Sequence, residues 1–235
     1  MGQQAYRGLM AAPAPSISQP EFGTVLEPLQ ADHAEPLFHL TNDPELWMFW
    51  PFDRPSTIGD FLVIIEEALA GAQSGTERPY VIVQRETGIV MGSTRFMNIS
   101  REHRAMEIGL TWIGRGWHRT LVNLESKTTL LSHAFEDLGA VRVQLKVDTR
   151  NERSKRAITR IGATYEGTLR KDRVLAGGTA RDTDYFSIVD DDWPKVRSKL
   201  AEARCHAVAE CTDGGRPPGR RDISWTSNPQ EGQTP

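Results

Sequence analysis

Three consecutive strands with no helix between them are the feature that most constrains the fold of this chain. Tyr80–Arg85 and Ile89–Ile99 flank the turn Glu86-Thr87-Gly88, and Ala105–Ile113 follows after a short polar connection. Strands joined by such short turns pair as antiparallel neighbours, so the three predict a meander. A meander in the middle of the chain argues against a doubly wound Rossmann sheet, in which strands alternate with helices.

A strand–helix–strand step continues from the third strand. The helix Asn123–Leu138 has an apolar stripe and is followed by Gly139, and the strand Val141–Val147 alternates apolar and polar residues. A return through a helix to a parallel strand requires a right-handed crossover. We therefore predict an α/β fold with a mixed, mostly antiparallel twisted sheet and helices on both faces.

The other predicted elements depend on local caps and patterns. They are a strand at Thr24–Leu29, a helix at Ala31–Leu40, a helix capped by Thr57 that ends at Gly71, a helix capped by Asn151 that ends at Gly162, a last strand at Tyr185–Val189 and a closing helix opened by Asp192-Trp193-Pro194.

Both ends of the chain differ in composition from the middle. Residues 1–22 are rich in Ala, Pro, Ser and Gln, and residues 202–235 combine Pro, Gly and charge without an apolar period. We expect two disordered tails around one domain at 23–201. Cys205 and Cys211 lie in the second tail without a further ligand pair at metal spacing, so no metal is expected.

Charge and hydropathy limit the classes of partner. The formal net charge is −3, which provides no field that would attract nucleic acid or an anionic membrane. No apolar run reaches the ~18 residues of a membrane span. The two cysteines do not suggest an oxidising compartment, so a cytoplasmic location is expected.

The segment Glu107–Lys127 is the most informative for function. It contains a strand, a loop with Gly114 and Gly116, and the start of a helix. Unpaired backbone N–H groups and the positive end of a helix then converge on one place, which suits a phosphate. Arg115 and Arg119 add positive charge there, but the glycine spacing matches neither a dinucleotide fingerprint nor a P-loop.

Two blocks of motifs indicate a family. The first consists of Glu107-Ile108-Gly109, Trp112-Ile113, Gly116-Trp117-His118-Arg119-Thr120 and Val122-Asn123-Leu124-Glu125. The second consists of Leu138-Gly139-Ala140, the strand at 141–147, Asn151-Glu152-Arg153-Ser154 and Ile161-Gly162-Ala163. With Leu40-Thr41-Asn42-Asp43-Pro44-Glu45, they resemble the GNAT superfamily of N-acetyltransferases, and its RimJ/RimL-like branch, from about Thr24 to Val189.

The resemblance implies acetyl-CoA as co-substrate, held where the fourth and fifth strands splay apart. The backbone of Trp112 and Ile113 would pair with the pantetheine arm, and Asn151 would contact that arm or act as a helix N-cap. The pyrophosphate would take N–H groups of the loop, at Trp117, Arg119, Thr120, Leu121, Val122 and Asn123.

The resemblance also assigns the chemistry. Glu107 is the candidate general base, acting through water; the alternative is a surface glutamate beside Arg95 or Arg104. A backbone N–H between Leu110 and Ile113 would polarise the thioester carbonyl. The family's usual tyrosine donor to the thiolate is replaced by Ile158, and Ser154 is the candidate in its place.

The loop departs from the family pattern, because the two expected glycines fall on Arg119 and Leu121. Leu121 would be strained if the family geometry is kept, or part of the helix if the loop has shifted. The segment Trp47–Phe52 would line an acceptor pocket or cap the core.

Three functions stay open: acetylation of a small-molecule or peptide amine, acetylation of protein N-terminal α-amines as by RimJ and RimL, and a non-catalytic CoA-binding module. A homodimer also stays open.

Overall fold

A seven-stranded mixed sheet organises the protein, in a computed structural model that describes residues 14–175 and 178–212. The strand order is β1-β2-β3-β4-β5-β7-β6, and only β4 and β5 pair in parallel. The predicted fold class and the meander β2-β3-β4 are confirmed. The strands are β1 Thr24–Pro28, β2 Arg78–Gln84, β3 Val90–Ser100, β4 Ala105–Ile113, β5 Arg142–Asp148, β6 Thr164–Val174 and β7 Ala180–Val189.

Helices cover both faces of the sheet. The α-helices are α1 Ala34–His39, α2 Pro44–Trp47, α3 Ile58–Ser74, α4 Val122–Ser132, α5 Glu152–Arg160 and α6 Trp193–Thr212. Alternate residues of β2 point to opposite faces. Val81 belongs to the same buried cluster as Leu37 of α1 and Phe61 of α3, whereas Tyr80 belongs to the other cluster, with Leu130 of α4 and Leu200 of α6. Two cores therefore form, one on each face of the sheet.

The helix α3 begins as predicted but ends later. Thr57 Oγ1 accepts a hydrogen bond from the Asp60 N–H at 3.2 Å, and Asp60 Oδ2 accepts one from the Thr57 N–H at 2.9 Å, which completes a capping box. The predicted stop at Gly71 is wrong. The helix continues to Gly75, whose φ of 72° provides the left-handed C-cap.

The strand β6 was not predicted. Among the described strands it lies at the edge of the sheet and pairs only with β7. Most of its residues are exposed, so no apolar alternation marks it. Irregularities also interrupt its register with β7 near Gly167 and Lys171. Its partner β7 begins at Ala180 rather than at the predicted Tyr185.

The predicted helix at 123–138 is divided in two. Its α-helical part ends at Ser132, and a π-helical turn covers His133–Asp137 before Gly139, whose φ is 64°. The stop at Gly139 is thus where the glycine predicted it, while the last turn is wider than an α-helix.

Packed residues extend beyond the predicted tail boundaries at residues 22 and 202. Ile17 is buried and exchanges two backbone hydrogen bonds with Leu26, at 2.9 and 3.0 Å, and Phe22 is buried as well. At the other end α6 runs through Thr212, and Arg204 Nε donates to the buried Glu125 at 3.1 Å. The remaining tail residues, 1–13 and 213–235, lie outside the described part of the chain. None of the described helices is long and apolar enough to span a bilayer.

Candidate active site

The sheet opens between β4 and β5. Pairing between these strands is limited to Ala105 with Arg142, Met106 with Val143 and Glu107 with Gln144. The strands then separate, because β4 continues to Ile113 and β5 to Asp148 without further pairing. Parallel strands have their carboxyl ends at the same edge, so the loop after β4 and the start of α5 both flank this opening. The predicted splay is confirmed.

A bulge bends β4 beside the opening. Ser93 of β3 pairs with Trp112 and Arg95 pairs with Gly109, so one extra residue is inserted in β4. Leu110 lies in this insertion with φ at 45°, a left-handed conformation that is unusual for leucine. The bulge changes the direction of the backbone amides from Leu110 onward, which are the amides expected to polarise the thioester.

Glu107 is the last residue of β4 that pairs with β5. It is 4% exposed. Its Oε2 accepts a hydrogen bond from Asn98 Nδ2 at 2.8 Å and forms an ion pair with Lys146 Nζ at 3.0 Å. The alternative of a surface glutamate beside Arg95 or Arg104 is wrong. Arg95 pairs with Glu77 at 2.9 Å, and Arg104 donates to a backbone carbonyl. Glu107 is therefore a buried, charge-paired carboxylate at the base of the opening.

The other carboxylate oxygen of Glu107 lies next to a glycine. A Cβ on Gly109 would stand 3.2 Å from Oε1 and 2.6 Å from Met97 Sδ. A side chain there would collide with Met97 and crowd the carboxylate. Glycine at this position thus leaves room at the oxygen that neither Asn98 nor Lys146 occupies.

A polar row extends from Glu107 across β5 and β7 to β6. Lys146 Nζ lies 4.9 Å from the ring centroid of Tyr185, the residue opposite Lys146 in the register. The Tyr185 hydroxyl donates to Asp172 Oδ1 at 2.9 Å. None of these partners was selected from the sequence, since they belong to strands that only the tertiary fold brings next to β4.

In the loop after β4, Arg119 has an unusual backbone conformation. This residue is exposed with φ at 63°, so arginine occupies a left-handed position that glycine adopts without strain. Leu121 has φ −68° and ψ −15°, and it is half-buried at the N-cap of α4. The alternative of a strained Leu121 is therefore wrong, and Leu121 has joined the helix.

Side chains within the loop hold it against β4. Thr120 Oγ1 donates to the Trp117 carbonyl at 2.7 Å and accepts from the Val122 N–H at 3.3 Å. His118 Nε2 is 2.9 Å from the Ile113 carbonyl, which as an acceptor requires the N–H on Nε2. His118 had no role in the sequence analysis, although it lies five positions from the carbonyl that it binds.

The first turn of α4 directly follows this loop. Val122 is buried and Asn123 is half-buried, and the early N–H groups of a helix have no intrahelical acceptors. Of the two strand residues expected to contact pantetheine, Trp112 has its side chain buried in the core beside Trp50, with ring centroids 6.5 Å apart. Any contact of Trp112 with a ligand would therefore come from its backbone.

Asn151 is confirmed as an N-cap. Its Oδ1 accepts from the Ser154 N–H at 3.0 Å at the start of α5. Ser154 is half-buried in the first turn of α5, at the edge where β5 ends, and Ile158 is buried in the core. The structure thus places Ser154 on the β5 side of the opening and the β4 loop on the other.

The aromatic segment divides between the core and a contact with β7. Trp47 is buried and donates from Nε1 to the Thr41 carbonyl at 3.0 Å. Phe49 instead extends toward β7, where its carbonyl accepts from Arg181 at 3.2 Å and its ring lies 5.9 Å from the Arg150 guanidinium. Trp47 therefore stabilises the core, whereas Phe49 contacts Arg181 of β7 and Arg150.

A metal centre is not assembled by these residues. In residues 14–175 and 178–212, no group of three or more His, Cys, Asp or Glu side chains is arranged to hold an ion. Cys205 is a free, exposed thiol on α6.

Comparison with known proteins places this geometry in a family. Residues 24–164 match the model of the acetyltransferase (GNAT) domain. The chain is 27% identical over 165 residues to the uncharacterized N-acetyltransferase YoaA of Bacillus subtilis (strain 168), covering 70% of this chain and 92% of YoaA.

Solved structures share the architecture. A GCN5-related N-acetyltransferase from Brucella melitensis is similar with a TM-score of 0.73 and 25% identity, over 81% of this chain and 86% of that one. Mycobacterium smegmatis RimJ in complex with CoA-disulfide shares the fold, with a TM-score of 0.69 and 19% identity over 80% and 93% of the two chains. A mixed sheet that opens between two parallel strands is thus the frame of an acyltransferase class. The chain belongs to the GNAT family and is an acetyltransferase.

Proposed function

We propose that this protein transfers an acetyl group from acetyl-CoA to a primary amine of a small molecule or peptide, with Glu107 as general base. The observation that carries the proposal is the position of Glu107, buried and charge-paired at the point where β4 and β5 separate. Family membership supports acetyl transfer, and the RimJ neighbour, which shares the fold, was solved with CoA-disulfide.

The elements around the opening suit an acetyl-CoA substrate. The first-turn N–H groups of α4 and the exposed Arg115 and Arg119 provide positive potential for the pyrophosphate. The unpaired edges of β4 and β5 provide backbone groups for the pantetheine amides, beside Trp112, Ile113 and Asn151. No metal is required by this donor set, which consists of amides and guanidinium groups.

Acetyl transfer needs a neutral amine, a polarised carbonyl and a proton for the leaving thiolate. Glu107 accepts the ammonium proton through a water at Oε1, where Gly109 leaves room. Amides of the β4 bulge stabilise the negative charge on the carbonyl oxygen as the nitrogen attacks and the carbon–sulfur bond breaks. Ser154, across the opening, relays the proton that the nitrogen loses after its attack: its hydroxyl donates to the leaving thiolate and takes up that proton in return.

The substrate amine approaches from the polar row. Lys146 of β5, Tyr185 of β7 and Asp172 of β6 form a chain of contacts that begins at Glu107, and the Phe49 carbonyl accepts a hydrogen bond from Arg181 of β7. This surface combines cations, carboxylates and two aromatic rings, which suits a polar acceptor. The free thiol of Cys205 is compatible with a reducing, cytoplasmic setting.

Glu107→Gln tests the base. The change is nearly isosteric and removes the proton acceptor, so kcat should fall ~10²–10⁴-fold while KM for acetyl-CoA stays within about three-fold. Turnover is measured by thiol release against pooled amines and N-terminal peptides. Glu102→Gln, an exposed glutamate in the β3–β4 turn, is the matched control and should act like wild type. A Glu107→Gln enzyme within three-fold of wild type from pH 6 to pH 9 would show that Glu107 is structural.

The pooled screen also decides between acceptors. Preference for peptides with free α-amines would support a RimJ/RimL-like acetyltransferase of protein N-termini. Stabilisation by acetyl-CoA without turnover of any amine would support a non-catalytic CoA-binding module instead.

A further inference from the structure

Lys127 is a buried cation that the proposed chemistry leaves unused. It lies on α4, which packs against β4, and it is 8% exposed. Its Nζ is 2.7 Å from Thr111 Oγ1, and no carboxylate of the described residues lies within ion-pair distance. Burial lowers the pKa of Lys127 to about 7. Burying an ammonium without a counter-charge is costly, so packing alone does not account for a lysine here.

The contact leads directly to the bulge of β4. Thr111 follows Leu110, whose φ of 45° marks the inserted residue. The Thr111 hydroxyl is 2.7 Å from Lys127 on one side and 2.7 Å from the Thr94 hydroxyl of β3 on the other. Thr94 is completely buried. The strand is thus tied, immediately after its irregular residue, to both the helix and the neighbouring strand.

These contacts of Thr111 also constrain the orientation of the backbone amides that follow the bulge. A bulge leaves one residue of the strand unpaired, and the local ladder no longer determines its orientation. The side-chain contacts of Thr111 with Thr94 and Lys127 supply that constraint. Without Lys127, the helix would contribute no polar contact to Thr111.

We propose that Lys127 is a positioning residue for acetyl transfer: through Thr111 it holds the β4 bulge so that the amides of Leu110–Ile113 face the opening between β4 and β5. Lys127 itself does not touch the reacting groups. The inference rests on the proposed function for its catalytic consequence, whereas its structural part concerns the bulge alone.

Two variants test the contact from its two ends. Lys127→Met keeps an unbranched side chain and removes the amine, and Thr111→Val keeps the shape and removes the hydroxyl. Each should lower kcat about ten- to a hundred-fold, with KM for acetyl-CoA within about three-fold, because misplaced catalytic amides affect the reaction more than binding. The double variant should be no slower than the slower single variant, since both act through one contact. Lys199→Met, an exposed lysine on α6, is the matched control.

Amide hydrogen exchange gives a readout that does not depend on turnover. The peptide covering 108–113 should exchange faster in both variants than in wild type, while peptides from β2 should not change. Wild-type kcat in Lys127→Met, or multiplicative losses in the double variant, would overturn the proposal. Slower turnover with unchanged exchange at 108–113 would also overturn it, because Lys127 would then act without the bulge. If wild type acetylates no amine, the proposed function fails, and the exchange data still decide whether Lys127 holds β4.

Discussion

Replacing Lys127 with methionine should stabilise the protein at neutral pH. The pKa of this lysine falls from 10.5 to about 7 because burial penalises the ammonium. Each pKa unit corresponds to about 1.4 kcal/mol, so the folded state carries a penalty on the order of 4 kcal/mol at pH 7. The lost hydrogen bond to Thr111 offsets about 1 kcal/mol of the gain. We therefore expect Lys127→Met to increase the free energy of unfolding by roughly 2–3 kcal/mol.

The sign of the pH dependence follows from proton binding. Between about pH 7 and pH 10.5, the unfolded chain binds a proton at Lys127 that the folded protein does not, so this lysine makes stability rise with pH in that window. The other charged residue of α4, Glu125, pairs with Arg204 at 3.1 Å. The advantage of the methionine variant is thus greatest below pH 7 and declines toward pH 10.5.

Urea unfolding at pH 7 and pH 9.5 measures the effect, with the midpoint and the slope m recorded for each protein. The difference between Lys127→Met and wild type should shrink by roughly 3 kcal/mol between the two conditions. Lys199→Met should show no such change, because that lysine is exposed. A methionine variant less stable than wild type at pH 7, or a difference independent of pH, would refute the reasoning.

The remaining predictions concern the pyrophosphate loop and one helix cap. Arg119→Gly should raise stability by about 1 kcal/mol, since φ is 63°, and should weaken CoA binding with a smaller salt dependence; Arg119→Ala should lose the same affinity without the stability gain, as measured by melting and calorimetry. Leu121→Gly should not tighten CoA binding, because φ is already −68°, and tighter binding by calorimetry would contradict this geometry. Thr57→Ala should cost about 1 kcal/mol in thermal unfolding through loss of the α3 cap, and an unchanged melting temperature would count against the capping box.

Local sequence patterns were sufficient to predict many of the strands and helix caps. The bounds of β4, Ala105–Ile113, agree with the structure at both ends, and Thr57 and Asn151 cap the helices that they were expected to cap. Alternation and capping involve residues only a few positions apart, so these signals can be recognised without the fold. The family motifs likewise located the opening between β4 and β5.

Features that depend on contacts between distant parts of the chain could not be predicted from the sequence. The edge strand β6 exposes most of its residues, so it has none of the alternation that marks a half-buried strand. Gly71 was a reasonable stop for α3, but the helix continues to Gly75, where the left-handed conformation occurs. Ile17 appeared to belong to a tail because its partner Leu26 lies across an intervening turn.

The sequence by itself determined the fold class, the family and the candidacy of Glu107, since each depends on patterns within short segments. Only the tertiary structure decided that Glu107 is paired with Lys146 and Asn98, that Arg119 rather than Leu121 has the left-handed backbone, and that Lys127 is buried against Thr111. Burial and charge pairing depend on which strands and helices meet, and those contacts join residues that are remote in the chain. The electrostatic properties of the site therefore emerge only when the sheet and α4 pack together.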